Sequence, residues 1–247
     1  MPALPAYQSL EQQLSAELGL PRRPVAIAFT DTPPAGVAKF TGSVPSGCTF
    51  WRYASDGRVF FTVASDHYNC PIGSYTHSIP LPADRANELD QTLGLMTDIG
   101  YVRMEEVSGM PVLPKAPAVV VYAPLGDTPI EPDVVIFIGS AAHLMLVQEA
   151  ATSAGLPATR STLGRPTCMV VPASLAGGLV VSSGCIGNRV YTGIGDSELY
   201  AAVSGRDVAR LAAAAGKIAA ANAKLREYHL SRMEQLTVAD TFARATP

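Results

Sequence analysis

Two segments of the chain share a pattern of cysteines, glycines and apolar residues. Counted from Cys48 and from Cys168, a glycine follows at position +9, and apolar residues follow at +11 and +13. A second cysteine completes each segment, in NCPIG at 69–73 and in GCIG at 184–187. Because an apolar run of strand length also precedes each segment, we interpret the pattern as a diverged internal duplication. The alternative is chance similarity between two strand–turn–strand segments.

The duplication predicts one compact unit built from two related halves. A mixed α/β (α+β) class is expected, in which each half contributes strands and a following helix. A long Ala-rich helix is expected to close the chain. The predicted segments are an N-terminal helix at 1–23, a first half at 24–116, a linker or strand at 117–131, a second half at 132–225, and a helix end with a frayed tail at 226–247.

Periodicity of apolar residues predicts the individual elements. Near-continuous apolar runs at 118–122 and 134–138 are typical of central strands buried on both faces. Further strands are predicted at 24–29, 58–64, 101–107, 168–171 and 178–182. Helices are predicted at 9–20, 83–98, 141–154, 197–203 and 207–233.

Composition excludes several classes of protein. A hydrophobic fraction of 48% with only 16% charged residues is not typical of a disordered chain. The net charge of −3 gives no electrostatic reason to expect nucleic acid or an anionic membrane as a partner. No run approaches the roughly 18 apolar residues that a membrane span needs, and the start does not resemble a secretion signal. A cytoplasmic location is therefore expected.

The four cysteines, Cys48, Cys70, Cys168 and Cys185, are the candidate cofactor and metal ligands. Disulfides are disfavoured in a reducing compartment, and two halves packed about a pseudo-twofold axis would bring all four thiols together. Their intervals of 22, 98 and 17 positions contain no close pair of the kind that structural zinc sites use. Dispersed ligands favour a 4Fe–4S cluster held between the halves. Zinc, or buried cysteines that only pack, are the alternatives.

Four further residues are assigned to the candidate site. His67 lies three positions before Cys70 and is a candidate proton donor. Arg189 follows the second cysteine of the other half and is a candidate for positioning an anionic group. Gly73 and Gly187 would allow the backbone to approach the cofactor closely.

These residues predict an iron–sulfur protein, with redox or Lewis-acid enzyme activity on a small molecule at the interface of the halves. Two other functions stay open: a metal-free module that binds a small ligand, and a thiol enzyme that pairs one cysteine with His67. A homodimer through the Ala-rich helix is a further possibility.

The chain resembles a known family at its most distinctive blocks. These are PVAIAF, NCPIG, PDVVIFIG, GRPTCMVVP and, most specific, SGCIGNRVYTGIGDSELY. Over about residues 24–225 they resemble the DUF169 family of uncharacterised bacterial and archaeal proteins. The resemblance implies a stand-alone protein that contains cysteines, and it implies no known catalytic class.

Overall fold

The computed structural model describes residues 4–162 and 166–236. Within them, nine α-helices accompany a single seven-stranded sheet, which confirms the mixed class and the long C-terminal helix. The strands are β1 (Val25–Thr30), β2 (Phe60–Val63), β3 (Val119–Pro124), β4 (Val134–Ser140), β5 (Arg160–Ser161), β6 (Val180–Ser182) and β7 (Glu198–Ser204). The helices are α1 (Pro5–Leu18), α2 (Cys48–Ser55), α3 (Pro71–Thr76), α4 (Glu88–Asp98), α5 (Met104–Ser108), α6 (Ala141–Ser153), α7 (Val170–Leu175), α8 (Ile186–Thr192) and α9 (Val208–Leu236).

The sheet has the order β2-β3-β1-β4-β7-β6-β5, and every neighbouring pair is antiparallel except β5 and β6. At its centre β1 pairs with β4, and Ile27 lies opposite Tyr122 on one side and Val134 on the other. Reading outward from this pair gives β1-β3-β2 in one direction and β4-β7-β6 in the other. The predicted linker at 117–131 contains β3, so it supplies a strand of the sheet. The duplication itself stays a prediction.

Helices cover both faces of the sheet. Alternate residues of β4 divide between the faces: Val134 and Ile136 join a core cluster with α2 and α7, whereas Val135 and Phe137 pack against α1, α6 and α9. Because both faces are buried, both residue sets are apolar, and this accounts for the near-continuous apolar run in β4. The cysteines belong to the α2 and α7 side, where Cys48 and Cys168 are part of the core.

Three predicted elements were wrong. Residues 197–203, predicted as a helix, form most of β7, because burial between β4 and β6 overrides the helical preference of Glu and Ala. Residues 168–171, predicted as a strand, form a 3₁₀ turn at Thr167–Met169 and the start of α7. An apolar run this short fits a buried helix equally well. Residues 101–107, also predicted as a strand, contain most of α5, whose Met and Glu residues favour a helix.

Only the first part of α9 belongs to the core. Leu211, Ala212 and Ala215 are fully buried against α1 and α6, whereas most side chains from residue 219 to residue 235 are exposed. Among the described residues, no helix has both the length and the apolarity required to cross a membrane.

Candidate cysteine site

All four cysteines line one cavity of about 740 Å³ on the α2 and α7 side of the sheet. Cys48 and Cys168 are buried, and Cys70 and Cys185 are partly exposed. The apolar part of the lining comes from α4, β6, α8 and the segments on either side of α5, and it includes Leu93, Met96, Val102, Met110, Val180 and Tyr191. The fold therefore brings together four residues that span 137 positions of sequence, from 48 to 185.

Local structure places each cysteine at the start of a helix. Cys48 is the first residue of α2, and Cys168 lies in the 3₁₀ turn that leads into α7. Cys70 and Cys185 are the N-cap residues of α3 and α8. Because the first N–H groups of a helix have no intrahelical acceptor, a side chain at the cap accepts from them. The sulfur atoms of Cys70 and Cys185 are the acceptors at these two caps.

The two capping sulfurs each accept one backbone hydrogen bond. Gly73 N donates to Cys70 Sγ over 3.3 Å, and Asn188 N donates to Cys185 Sγ over 3.4 Å. A Cβ atom at Gly73 would lie 3.1 Å from Cys70 Sγ, so the close approach at this cap favours glycine. Gly187 lines the cavity, and a Cβ atom there would meet only the Tyr191 ring, at 3.6 Å. Of the two predicted glycines, only Gly73 therefore has a tight contact at its Cβ position.

Direct contacts join the two cysteine pairs. The Cys168 thiol lies 4.0 Å from the carbonyl oxygen of Ile72, in the helix that Cys70 caps. Helix α2, which begins at Cys48, packs against α8, the helix that Cys185 caps. Each pair is therefore in contact with a helix of the other.

Burial keeps the buried thiols uncharged. It is the largest cause that raises the pKa values of Cys48, Cys70 and Cys168 above the ordinary cysteine value. Mutual repulsion adds to this effect, and the pKa of Cys48 is raised further by Cys168, Cys185 and Cys70. The four sulfurs are therefore close enough to influence one another electrostatically. In the metal-free chain, burial therefore favours the neutral thiol form of Cys48, Cys70 and Cys168.

His67 lies behind the cysteines, in a second cavity of about 10 Å³ that Cys48, Cys70 and Cys168 also line. Such a volume accommodates about one water molecule. His67 Nε2 lies 2.9 Å from Thr62 Oγ1, and its ring stacks on His77 with centroids 6.1 Å apart. Burial lowers the pKa of His67 to about 3, with a smaller contribution from His77. His67 is therefore a neutral, buried imidazole outside the lining of the large cavity.

Arg189 is hydrogen-bonded to the backbone of neighbouring segments. Its guanidinium donates hydrogen bonds to the backbone carbonyls of Ser183, Gly195, Asp196 and Glu198. It is not among the residues that line the large cavity. These hydrogen bonds connect the loop between α8 and β7 to the segment that precedes α8.

Sequence reasoning missed two components of the site. Asn188 donates its backbone N–H to Cys185 Sγ, and its only signal in the sequence was its place three residues after Cys185. The lining contributed by α4 carries no motif, because it mixes the apolar side chains of Leu93 and Met96 with polar ones. The charged side chains Glu88 and Arg160 also line this cavity, and they bind Arg85 and backbone carbonyls, respectively.

No group of three or more His, Cys, Asp or Glu side chains in residues 4–162 and 166–236 is arranged to hold a single metal ion. In a tetrahedral zinc site with Zn–S distances of about 2.3 Å, the sulfurs lie about 3.8 Å apart. The four cysteines thus share one cavity without the geometry of a mononuclear site.

The chain belongs to the DUF169 family, whose model, described as "Uncharacterised ArCR", matches residues 13–214. The matched region begins within α1, ends within α9 and contains all four cysteines. The resemblance noted in the sequence is confirmed. No curated protein and no solved structure matches the chain significantly.

Proposed function

We propose that the protein binds a 4Fe–4S cluster through Cys48, Cys70, Cys168 and Cys185. The observation that carries the proposal is that these four cysteines, dispersed in sequence, all line one cavity. In such a cluster each cysteine binds a different iron, so the ligand sulfurs lie farther apart than around a single ion.

The electrostatics of the site also favour a cationic cofactor. Burial disfavours the thiolate forms of Cys48, Cys70 and Cys168 unless a positive charge compensates. Arg160 is the cation among the described lining residues, and its Nη2 donates to the carbonyls of Ala173 and Gly177. Iron would supply the missing charge, since metal binding deprotonates a coordinating thiol.

The cavity has room for a small molecule beside the cluster. At roughly 30 Å³ per heavy atom, the share of a water in the liquid, the eight atoms of the core would take about 240 Å³. About two thirds of the 740 Å³ would stay open. This space supports a redox or Lewis-acid enzyme acting on a small molecule, in the reducing environment of the cytoplasm. His67 and Arg189 would act there only indirectly, so their catalytic roles stay predictions.

A metal-free module that binds a small ligand is the second candidate. The cavity volume favours it, because 740 Å³ lies within the range of about 300–1,000 Å³ typical of small-molecule pockets. A thiol enzyme fits less well. It would need a thiolate beside an imidazolium, whereas burial favours the neutral forms of both Cys48 and His67.

Anaerobic preparation, followed by iron and sulfide analysis and an absorption spectrum, tests the proposal. We expect about four iron and four sulfide per chain, with a broad band near about 400 nm. Each single Cys→Ser variant should lose most of this content, while Met169→Leu, beside Cys168 in the same cavity, should keep it. A wild-type chain that stays free of iron after reconstitution would contradict the cluster and favour the binding module. Bound zinc in place of iron would also refute it.

A further inference from the structure

The lining of the large cavity is rich in flexible apolar side chains. Met96 in α4, Met110 after α5 and Met169 in the turn before α7 all line it, together with Leu93 and Val102. Leu93 and Val102 are buried, and the methionines reach the cavity from three separate segments. Because methionine side chains are unbranched and polarisable, such a lining adapts to apolar molecules of different shapes.

The charged side chains of the described lining are already engaged by the protein. Arg85 donates from Nε and Nη2 to the two carboxylate oxygens of Glu88, over 2.6 and 2.7 Å. Arg103 Nε donates to Glu106 Oε1 over 3.0 Å. Arg160 Nη2 donates to two carbonyls at the C-terminal end of α7, where the helix dipole is negative. The described lining therefore offers an ionised ligand no unpaired opposite charge.

Polar side chains of the lining are also used within the protein. The amide of Asn69 donates to a serine hydroxyl and a backbone carbonyl and accepts from an arginine, and the Thr92 hydroxyl donates to a backbone carbonyl. Thr162 Oγ1 and Asn188 Oδ1 have no partner in the described structure, but both atoms are enclosed by protein. Few hydrogen-bonding groups are thus open to a ligand.

These observations define the chemical class that the cavity accommodates. An ionised ligand would lose water here without gaining a charged partner, which costs free energy. An apolar ligand would contact methionine, leucine and valine side chains, and its burial is favourable. At roughly 30 Å³ per heavy atom, the 740 Å³ cavity holds up to about 25 heavy atoms, of which about 17 would fit beside the eight atoms of a cluster.

We propose that this cavity binds a neutral, largely apolar small molecule, and that its methionine-rich lining is the binding surface. The ligand has few hydrogen-bonding groups and no more than about 25 heavy atoms. The inference rests on the proposal that this cavity is the functional site, and it requires no bound cluster.

Two dyes that differ by one charged group test the inference. N-phenyl-1-naphthylamine is neutral and lies below the limit of about 25 heavy atoms, and 8-anilino-1-naphthalenesulfonate has the same skeleton with a sulfonate added. Equilibrium dialysis against the intact chain measures both dissociation constants, and the iron content of the same preparation is recorded. We expect the neutral dye to bind at least about tenfold more tightly than the sulfonate.

Substitutions in α4 locate the bound dye. Met96→Lys places a cation on the lining, so it should weaken binding of the neutral dye by about tenfold or more and tighten binding of the sulfonate. Leu95→Lys is the matched control, because it adds the same charge one position away, where the side chain is 62% exposed and does not line the cavity. Both affinities should stay at wild-type values in this control. Met110→Lys repeats the test from another segment if Met96→Lys fails to fold.

A wild-type chain that binds the sulfonate as tightly as the neutral dye, or binds neither, would overturn the inference. Equal effects of Leu95→Lys and Met96→Lys would also overturn it, because the dye would then bind outside the cavity. Iron content is a separate measure of the cluster. A chain without iron that shows the expected dye pattern would refute the cluster and support the inference, whereas an iron-loaded chain that prefers the sulfonate would do the opposite.

Discussion

Two buried histidines should make the metal-free fold sensitive to mild acid. Burial lowers the pKa of His67 to about 3 and that of His77 to about 4, against 6.5 for an ordinary histidine. His77 Nδ1 donates to the carbonyl of Gly73, which fixes the neutral tautomer. Both rings therefore stay neutral at pH 5 in the folded protein, whereas both are protonated once the chain unfolds.

The sign and size of the effect follow from linkage. Between the folded and unfolded pKa values the unfolded chain binds more protons, so stability falls as the pH falls below about 6.5. A difference of one in pKa is worth about 1.4 kcal/mol. Between pH 7 and pH 5 each histidine should therefore remove about 2 kcal/mol from the free energy of unfolding, and the pair about 4 kcal/mol. Below the folded pKa values this loss stops growing.

Urea denaturation at pH 7 and pH 5, with a chelator and a reductant present, measures the effect. His67→Gln should show a decrease between the two pH values that is smaller than the wild-type decrease by about 2 kcal/mol. His229→Gln, in the exposed part of α9, should retain the full wild-type decrease. Carboxylates contribute equally in all three proteins, so the comparison isolates the imidazole. Identical pH dependence in His67→Gln and wild type would refute the claim that burial holds His67 neutral.

Three further substitutions test the fold outside the cysteine site, and one of them is a control. Gly205→Ala should destabilise the fold by more than about 3 kcal/mol in urea denaturation, because its Cβ would lie 1.7 Å from the carbonyl oxygen of Pro132. Gly94→Ala is the control: a Cβ atom at this position in α4 would have no neighbour within 4 Å, so the change should be neutral or slightly stabilising. Equal effects of Gly205→Ala and Gly94→Ala would contradict the steric argument. Glu198→Gln should lower stability at pH 7 by about 1–2 kcal/mol, because the bond to Arg22 is the main cause that lowers the pKa of Glu198. The ion pair stabilises the fold above the ordinary carboxyl pKa, and this contribution is lost as the pH falls through the pKa of Glu198 in the folded protein. The difference in stability between Glu198→Gln and wild type should therefore vanish in acid. A difference that does not change with pH would show that the ion pair is not its source.

The elements that could be predicted were those whose local pattern agrees with their environment. The helices α6 and α9 carry long periodic patterns, and β4 is a long apolar run that is buried on both faces. The strand β7 could not be read in this way. Its sequence, ELYAAVS, favours a helix locally, and only its pairing with β4 and β6 makes it a strand.

The sequence by itself determined the mixed class, the family and the cysteines as the residues of interest. Their spacing also suggested that two dispersed pairs meet. Tertiary structure alone decided what surrounds them: the lining from α4, the uncharged state of the buried thiols, the carbonyl contacts of Arg189, and the backbone hydrogen bond from Asn188 to Cys185. The physical reason is that burial and hydrogen bonding depend on which distant segments pack together. Local periodicity records only which face of a segment is apolar.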